Sequence, residues 1–372
     1  MKIFVVSRCG WTLFNFRAGL LKMLSARGTD LVSAGSGEDG YGPRIEAMGV
    51  RFRHLPINRE GINPVADLRL FLALYRWYRQ ERPHVVHHFT IKPVIYGSIA
   101  AYLAGVPRIV NTITGLGYVY TGRHGLLRRV VDMLYRVALA CADHVFFQNS
   151  DDLALFRERR LVNVDKVSLV PGSGVDLVRF QPRAESDRPG AEPVTVLMVS
   201  RLLRDKGIYE FVESARIARA DMPGLRFQVL GEIDTRNPTA VDKAEVEEWQ
   251  KQGLIEWLGA TDDVRPYLSK ADIVVLPSYR EGMPRSLLEA AAMALPVVST
   301  DVPGCRNAVD DGVTGLLVPA QDSQRLADAI IRLAGSPRLR HEMGRAGREK
   351  VVREFDETLV LNAALDAYGA VQ

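Results

Sequence analysis

Cysteine is scarce in this chain. Cys9, Cys141 and Cys305 are the only three among 372 residues, too few and too scattered for a disulfide framework or a cysteine-built zinc site. A reducing, cytoplasmic setting fits that usage. Long apolar runs are missing too. No stretch approaches the ~18 uninterrupted apolar residues that span a bilayer. The opening MKIFVV is too short for the core of a signal peptide and predicts a first strand. Neither HExxH nor a clustered acidic motif appears, so no metal is expected. No basic run carries the interleaved aromatics that stack on bases, so nucleic acid is not an expected partner. With 47% apolar and 25% charged residues, the chain is an ordinary folded protein, and disorder, collagen and coiled coil are excluded.

What is present is length enough for two cores, since one core rarely grows past about 250–300 residues. Charge is unevenly shared between the halves. Residues 1–180 hold 24 Lys and Arg against 14 Asp and Glu, a net of +10, and the remainder holds 24 against 30, a net of −6. A basic half joined to an acidic half suggests that the first half meets an anionic partner.

Short apolar runs alternate with helical patterns throughout. Strands are expected at 2–6, 29–34, 50–56, 84–88, 108–113, 143–148 and 166–170, with helices at 12–27, 64–82, 92–104, 123–141 and 150–159. VTVLMVS (194–200) restarts the pattern, and DIVVLP (272–277) and PVVST (296–300) continue it. The runs lack strict alternation, as strands buried on both faces do. The pattern therefore predicts an α/β protein of two doubly wound, parallel-sheet, Rossmann-like domains facing a cleft. RFQPRAESDRPGAEP marks the junction. The expected parts are 1–180, 181–355, and a last helix over 356–372.

Ligands of such sheets bind beyond the carboxyl ends of the strands. SYREGMPRSLLEAAAMALP follows DIVVLP. Pro284 suits the first position of a helix, and the amides of Arg285, Ser286 and Leu287 then form an anion site with the dipole. Glu281 lies in the loop before that site, and Glu289 lies inside the helix. VSRLLRDKGI follows the first strand of the second half and offers Arg201 and Lys206, two cations able to neutralise a diphosphate. In the first half, Gly10 and the glycines Gly115 and Gly117 let backbone approach a ligand. Strand alternation points one of His87 and His88 inward, and His88 is assigned to the cleft. Gly35-Ser36-Gly37-Glu38-Asp39-Gly40 matches G-x-G-x-x-G by letter. It follows the second strand, its variable positions are acidic, and no long helix follows, so a dinucleotide is not expected there. Helices 65–82 and 123–141 mix arginines with Leu, Val, Phe and Met, a surface-binding pattern that suggests an anionic membrane face.

Together the E-x7-E of EGMPRSLLEA (Glu281 to Glu289), the Arg201…Lys206-Gly207 pair, PGSGVDLVRFQP and PGCRNAVDDGVTGLLVP resemble the donor-site motifs of the family 4 retaining glycosyltransferases of GT-B fold. The resemblance spans essentially the whole chain. It implies that Arg201 and Lys206 hold the diphosphate of a UDP-sugar and that Glu281 holds the sugar, helped by Gly282, Met283, Pro284, Arg285, Ser286 and Leu287. It further implies that Glu289 holds the ribose, that Gly231 lies on the donor side, and that the last helix braces the first domain. NFRAGLLK, INREGINP, HHFTIKPVIYGSIAA and NTITGLGYVY resemble bacterial enzymes that extend polyprenyl-diphosphate-linked sugars, with N-acetylgalactosaminyl-type transferases as the nearest kind. That match places Asn15, Arg17, Arg59, His88, Lys92, Thr114, Gly115 and Gly117 on the acceptor side. Thr114 stands where many members carry an acidic residue or His. The expected activity is metal-independent transfer, without a cofactor, of a HexNAc or hexose to a polyprenyl-diphosphate saccharide. The enzyme would sit on the inner face of the cytoplasmic membrane. A sugar-nucleotide epimerase of the same fold, or a transferase with a soluble acceptor, is the alternative.

Overall fold

A computed structural model describes residues 1–58, 63–116, 120, 125–183, 193–235 and 237–369. The chain divides into two compact units, one of Met1–Ser173 with the residues from Glu357 onward, the other of Gly174–Asp356.

In the first unit, β1 (Lys2–Cys9) leads to α1 (Gly10–Phe16) and α2 (Ala18–Ala26), then β2 (Asp30–Ser36), α3 (Gly42–Glu46) and β3 (Arg51–His54). There follow α4 (Pro64–Glu81), β4 (Val85–Phe89), a π-helical turn Pro93–Gly97 running into α5 (Ser98–Ala104), and β5 (Arg108–Ile113). The set closes with α6 (Gly125–Ala140), β6 (His144–Phe147), α7 (Ser150–Glu158) and β7 (Val167–Leu169). Among the described residues the sheet has 7 strands in the order β3-β2-β1-β4-β5-β6-β7, all pairs parallel. The order reverses between β1 and β4, the switch point where such sheets take ligands.

Local chemistry explains the elements. Asn63 caps α4 by accepting from Val65 N and Ala66 N, Pro64 opens the helix, and Arg82 ends it in the left-handed region. One helix was expected over 12–27, but two form, broken at Arg17 (φ −130°). The break turns the Arg17 side chain inward, where its guanidinium lies 4.2 Å from the Phe89 ring centroid.

The second unit contains β8 (Thr195–Val199), α8 (Ile208–Asp221), β9 (Arg226–Leu230), α9 (Lys243–Lys251), β10 (Glu256–Trp257), α10 (Arg265–Leu268) and β11 (Ile273–Leu276). It continues with α11 (Arg285–Ala292), β12 (Val297–Thr300), α12 (Cys305–Ala308), β13 (Gly315–Val318), α13 (Ser323–Ala334) and α14 (Pro337–Glu354). Its 6 strands run β10-β9-β8-β11-β12-β13, so this sheet reverses between β8 and β11. The second unit begins at Gly174 and not after 180. Val175 and Phe180 are buried in its core, and Val175 N donates to Phe355 O at 2.8 Å.

The last helix, α15 (Glu357–Ala367), packs on the first unit. Arg108 Nε donates to Ala367 O at 2.7 Å. The Tyr368 hydroxyl lies 2.7 Å from His87 Nδ1. Gly19 leaves the room Glu357 needs, since a Cβ there would lie 2.6 Å from Glu357 Oε2.

Strand β4 is buried on both faces, so His87 and His88 are both interior. The sequence pattern places His88 at the acceptor cleft. It is instead a core residue, bonded through Nε2 to the Tyr78 hydroxyl at 3.0 Å and through Nδ1 to Asn111 Oδ1 at 3.1 Å. A central strand between two helix layers has no solvent-facing side. Burial lowers the His88 pKa to about 4 and depresses that of His87 as well, with Arg17 adding to it. As pH falls below 6.5 the unfolded chain takes up protons that the folded chain refuses, so stability falls toward acid. The loss reaches about 3 kcal/mol for His88 alone by pH 4. Melting temperature should therefore drop steadily from pH 7 to pH 5, and His88→Gln should show a shallower slope.

Candidate functional site

The two loops predicted to carry chemistry leave neighbouring strands of the second unit. β8 and β11 pair directly, with Val196 opposite Ile273, so both loops emerge at the switch point. They are stitched together. Asp205 O accepts from Tyr279 N at 2.9 Å and from Ser278 Oγ at 3.1 Å. Gly207 makes the approach possible. Its φ is +76°, and a Cβ there would lie 2.1 Å from Pro277 O. A third loop braces the second from the far side. Glu281 N donates to Pro303 O at 3.0 Å, and Gly304 (φ +83°) lies so close that a Cβ would meet Glu281 O at 2.5 Å.

This packing brings Lys206 Nζ to 2.5 Å from Glu281 Oε1, two residues 75 apart in sequence. Arg201 is held elsewhere, by Asp234 Oδ2 at 2.6 Å. Asp234 was not singled out in the sequence. The available signal was that GEIDT follows β9, whose carboxyl end lies beside that of β8. Cys305 is buried beside Glu281. Its thiol pKa is pushed up to about 12, first by burial and then by the Glu281 charge.

Pro284 is the N-cap of α11, one position earlier than expected, and the helix starts at Arg285. Leu287 N already bonds Pro284 O at 3.1 Å, so the tight first turn spends that amide. The amides of Arg285 and Ser286 precede it at the positive end of the helix. Glu289 is nearly buried, with Oε1 held by Arg285 Nε at 2.6 Å. Burial raises its carboxyl pKa, and Arg285 opposes the rise. Gly231 does not offer its amide, which donates to Gly259 O at 2.8 Å. Its service is space, because a Cβ there would lie 1.8 Å from Ser200 O.

The first unit handles its own switch point differently. Asp39, from the GSGEDG loop, places Oδ2 2.7 Å from Trp11 N at the start of α1. Gly10 admits it, since a Cβ would be 3.0 Å from Asp39 Oδ1. The apparent dinucleotide motif thus supplies an anion and does not receive one. Lys92 is paired with Asp67 Oδ1 at 2.8 Å, and Tyr96 donates to Asp67 Oδ2 at 3.0 Å. Thr90 (φ +71°) and Gly115 (φ +125°) sit at the ends of β4 and β5, a strained position for threonine. Thr114 is half-buried beside Gly115. Asn15 Nδ2 donates to Trp11 O at 3.0 Å. Arg17 departs from the expected acceptor position. It is buried and lines a small cavity under α15 with His87, Thr112 and Glu357. Arg59 and Gly117 lie outside the described residues. Among the described residues no group of three His, Cys, Asp or Glu is placed to hold a metal.

Residues 16–173 match the family model described as "Glycosyl transferase 4-like domain", and residues 193–336 match "Glycosyl transferases group 1". The chain belongs to the family 4 glycosyltransferases. It is 27% identical to the N,N'-diacetylbacillosaminyl-diphospho-undecaprenol α-1,3-N-acetylgalactosaminyltransferase of Campylobacter jejuni, covering 100% of this chain and 99% of that one. It is 28% identical to an Escherichia coli UDP-Gal:α-D-GlcNAc-diphosphoundecaprenol α-1,3-galactosyltransferase over 86% and 84% of the two chains. Sucrose-phosphate synthase from Thermosynechococcus elongatus superposes with a TM-score of 0.79 at 22% identity, over 99% of this chain and 98% of that one. Anabaena HepE superposes with 0.78 at 17% identity, over 98% of each chain. These likenesses establish the GT-B fold.

For this glycosyltransferase the three-loop clasp should tolerate no side chain at Gly207. Gly207→Ala combines a left-handed backbone with a clash on Pro277 O and should cost at least about 2 kcal/mol of stability, with transferase activity lost. A Gly207→Ala protein with wild-type melting and turnover would show that the loops need not touch.

Proposed function

We propose that this glycosyltransferase moves a HexNAc or hexose, with retention, from a UDP-sugar to a polyprenyl-diphosphate-linked saccharide, without a metal. The reaction takes place on the inner face of the cytoplasmic membrane. The printed activities of the Campylobacter and Escherichia relatives support this substrate class. The observation that carries the donor side is the Lys206–Glu281 contact at 2.5 Å. It sets a fixed cation and a carboxylate side by side at the mouth of the β8/β11 switch point, next to the start of α11.

In this reading Lys206 and Arg201 exchange their carboxylate partners for the donor diphosphate. Charge that develops on the leaving group as the C1–O bond breaks is then met by groups already in place. Glu281, released from Lys206, accepts hydrogen bonds from sugar hydroxyls and favours the positive charge gained by the ring. Arg285 and Ser286 present amides to the same donor. Glu289 accepts from the ribose. A diphosphate oxygen takes the proton of the acceptor hydroxyl, which attacks on the face the diphosphate leaves. Lys92, Thr114 and Gly115 of the first unit serve the acceptor.

Glu281→Gln should lower kcat by roughly 10²–10³, with UDP affinity and melting temperature nearly unchanged. Glu289→Gln should do the reverse and weaken UDP binding. Arg201→Ala and Lys206→Ala should each weaken UDP, and their effects should not add, because both serve one diphosphate. Near-normal turnover of Glu281→Gln at saturating donor and acceptor would remove that assignment. In a panel of UDP-sugars, the true donor should raise the melting temperature most, as mass action requires. Turnover of a UDP-sugar without acceptor would favour an epimerase.

A further inference from the structure

The outward sides of two helices in the first unit are apolar where a surface helix is ordinarily polar. On α6, Leu126, Val130, Met133 and Val137 are 77%, 45%, 54% and 48% exposed. Their 4-3-4 spacing sets them in one line. The buried residues Tyr135, Ala138 and Leu139 lie on the opposite side of the helix. On α4, Val65, Leu68 and Leu72 form a similar exposed line, opposite the buried Leu70, Leu74 and Trp77. α5 packs against both helices and ends in Tyr102 and Leu103, which are 63% and 56% exposed. The three helices therefore form one layer with an apolar outer surface.

Charge on this layer has one sign. The three helices contain only three acidic residues, Asp67, Glu81 and Asp132. Each is engaged in an ion pair: Asp67 with Lys92 at 2.8 Å, Glu81 with Lys2 at 2.9 Å and Asp132 with Arg159 at 2.7 Å. The exposed arginines Arg69, Arg76 and Arg79 run along the outward face of α4, and Arg129 borders the ridge of α6, while Arg136 is turned to the carbonyls of Arg159 and Arg160. A second copy of the same face would bring arginine against arginine. An anionic surface with an apolar interior answers both features at once.

We infer that the outer face of α4, α5 and α6 docks on an anionic lipid bilayer. The apolar ridge enters the boundary between headgroups and acyl chains while the arginines pair with lipid phosphates. The inference rests on the reading of a lipid-linked acceptor and specifies the surface that meets the lipid. Among the described residues no helix is long and apolar enough to cross a membrane, so this contact lies along the surface.

The test uses the full chain with vesicles of phosphatidylcholine, alone or mixed with phosphatidylglycerol. The protein should sediment with the mixed vesicles, and binding should weaken as salt is raised. The double variant Leu126→Glu, Met133→Glu should bind about tenfold or more weakly, with unchanged melting temperature and UDP affinity, since both side chains face outward. Three results overturn the proposal: no preference for the anionic vesicles, a double variant that binds like wild type, or a wild-type dimer in solution that the variant breaks. Vesicle binding without transfer to any polyprenyl-diphosphate acceptor would instead refute the acceptor reading and leave the docking face standing.

Discussion

One backbone carbonyl organises the proposed donor side. Asp205 O receives both the amide of Tyr279 and the hydroxyl of Ser278, which ties the loop after β8 to the loop after β11. Buried polar groups have to be paired, so these bonds are also the condition for bringing the two loops into contact. Gly207 and Gly304, both in the left-handed region, supply the room on either side. Without this clasp Lys206 and Glu281 would be separate surface residues. With it they form an ion pair held by loops from two paired strands.

The two units share a topology and use it in opposite ways. Each sheet reverses beside its first strand, and each places a helix start there. In the second unit the start of α11 has no acidic residue in its first turn, and cations stand on the neighbouring loops. In the first unit the start of α1 is already occupied by Asp39. The start of α11 is where the proposed reading puts the donor phosphates, while the start of α1 has an anion in place that would repel one. Fold alone does not decide this, because the difference lies in single side chains carried on loops.

Buried polar chemistry in the first unit is structural. His88 is sealed between Tyr78 and Asn111, and His87 links Thr112 to the Tyr368 hydroxyl after α15. Two adjacent histidines at the end of a strand read as candidates for chemistry, because histidine is uncommon in cores. Alternation by itself would give such a strand one wet side and one dry side. Helices cover both faces of a central parallel strand, and only the assembled layers reveal it. Arg17 is a similar case: its place beneath α15 depends on a helix some 340 positions away.

Much was readable from local pattern. Apolar runs bounded by turn residues marked the strands, because strands buried on both faces must be apolar whatever their neighbours. The E-x7-E spacing and the Arg201…Lys206-Gly207 turn marked the loops that carry charge, because a helix start and a left-handed glycine are properties of a few consecutive residues. Tertiary structure alone decided the pairings. That Lys206 meets Glu281, that Arg201 is held by Asp234, that Gly231 serves as space and not as a donor, and that Asp39 fills the start of α1 all depend on contacts between loops far apart in sequence. Such contacts arise from strand order, and strand order is set by how whole layers pack.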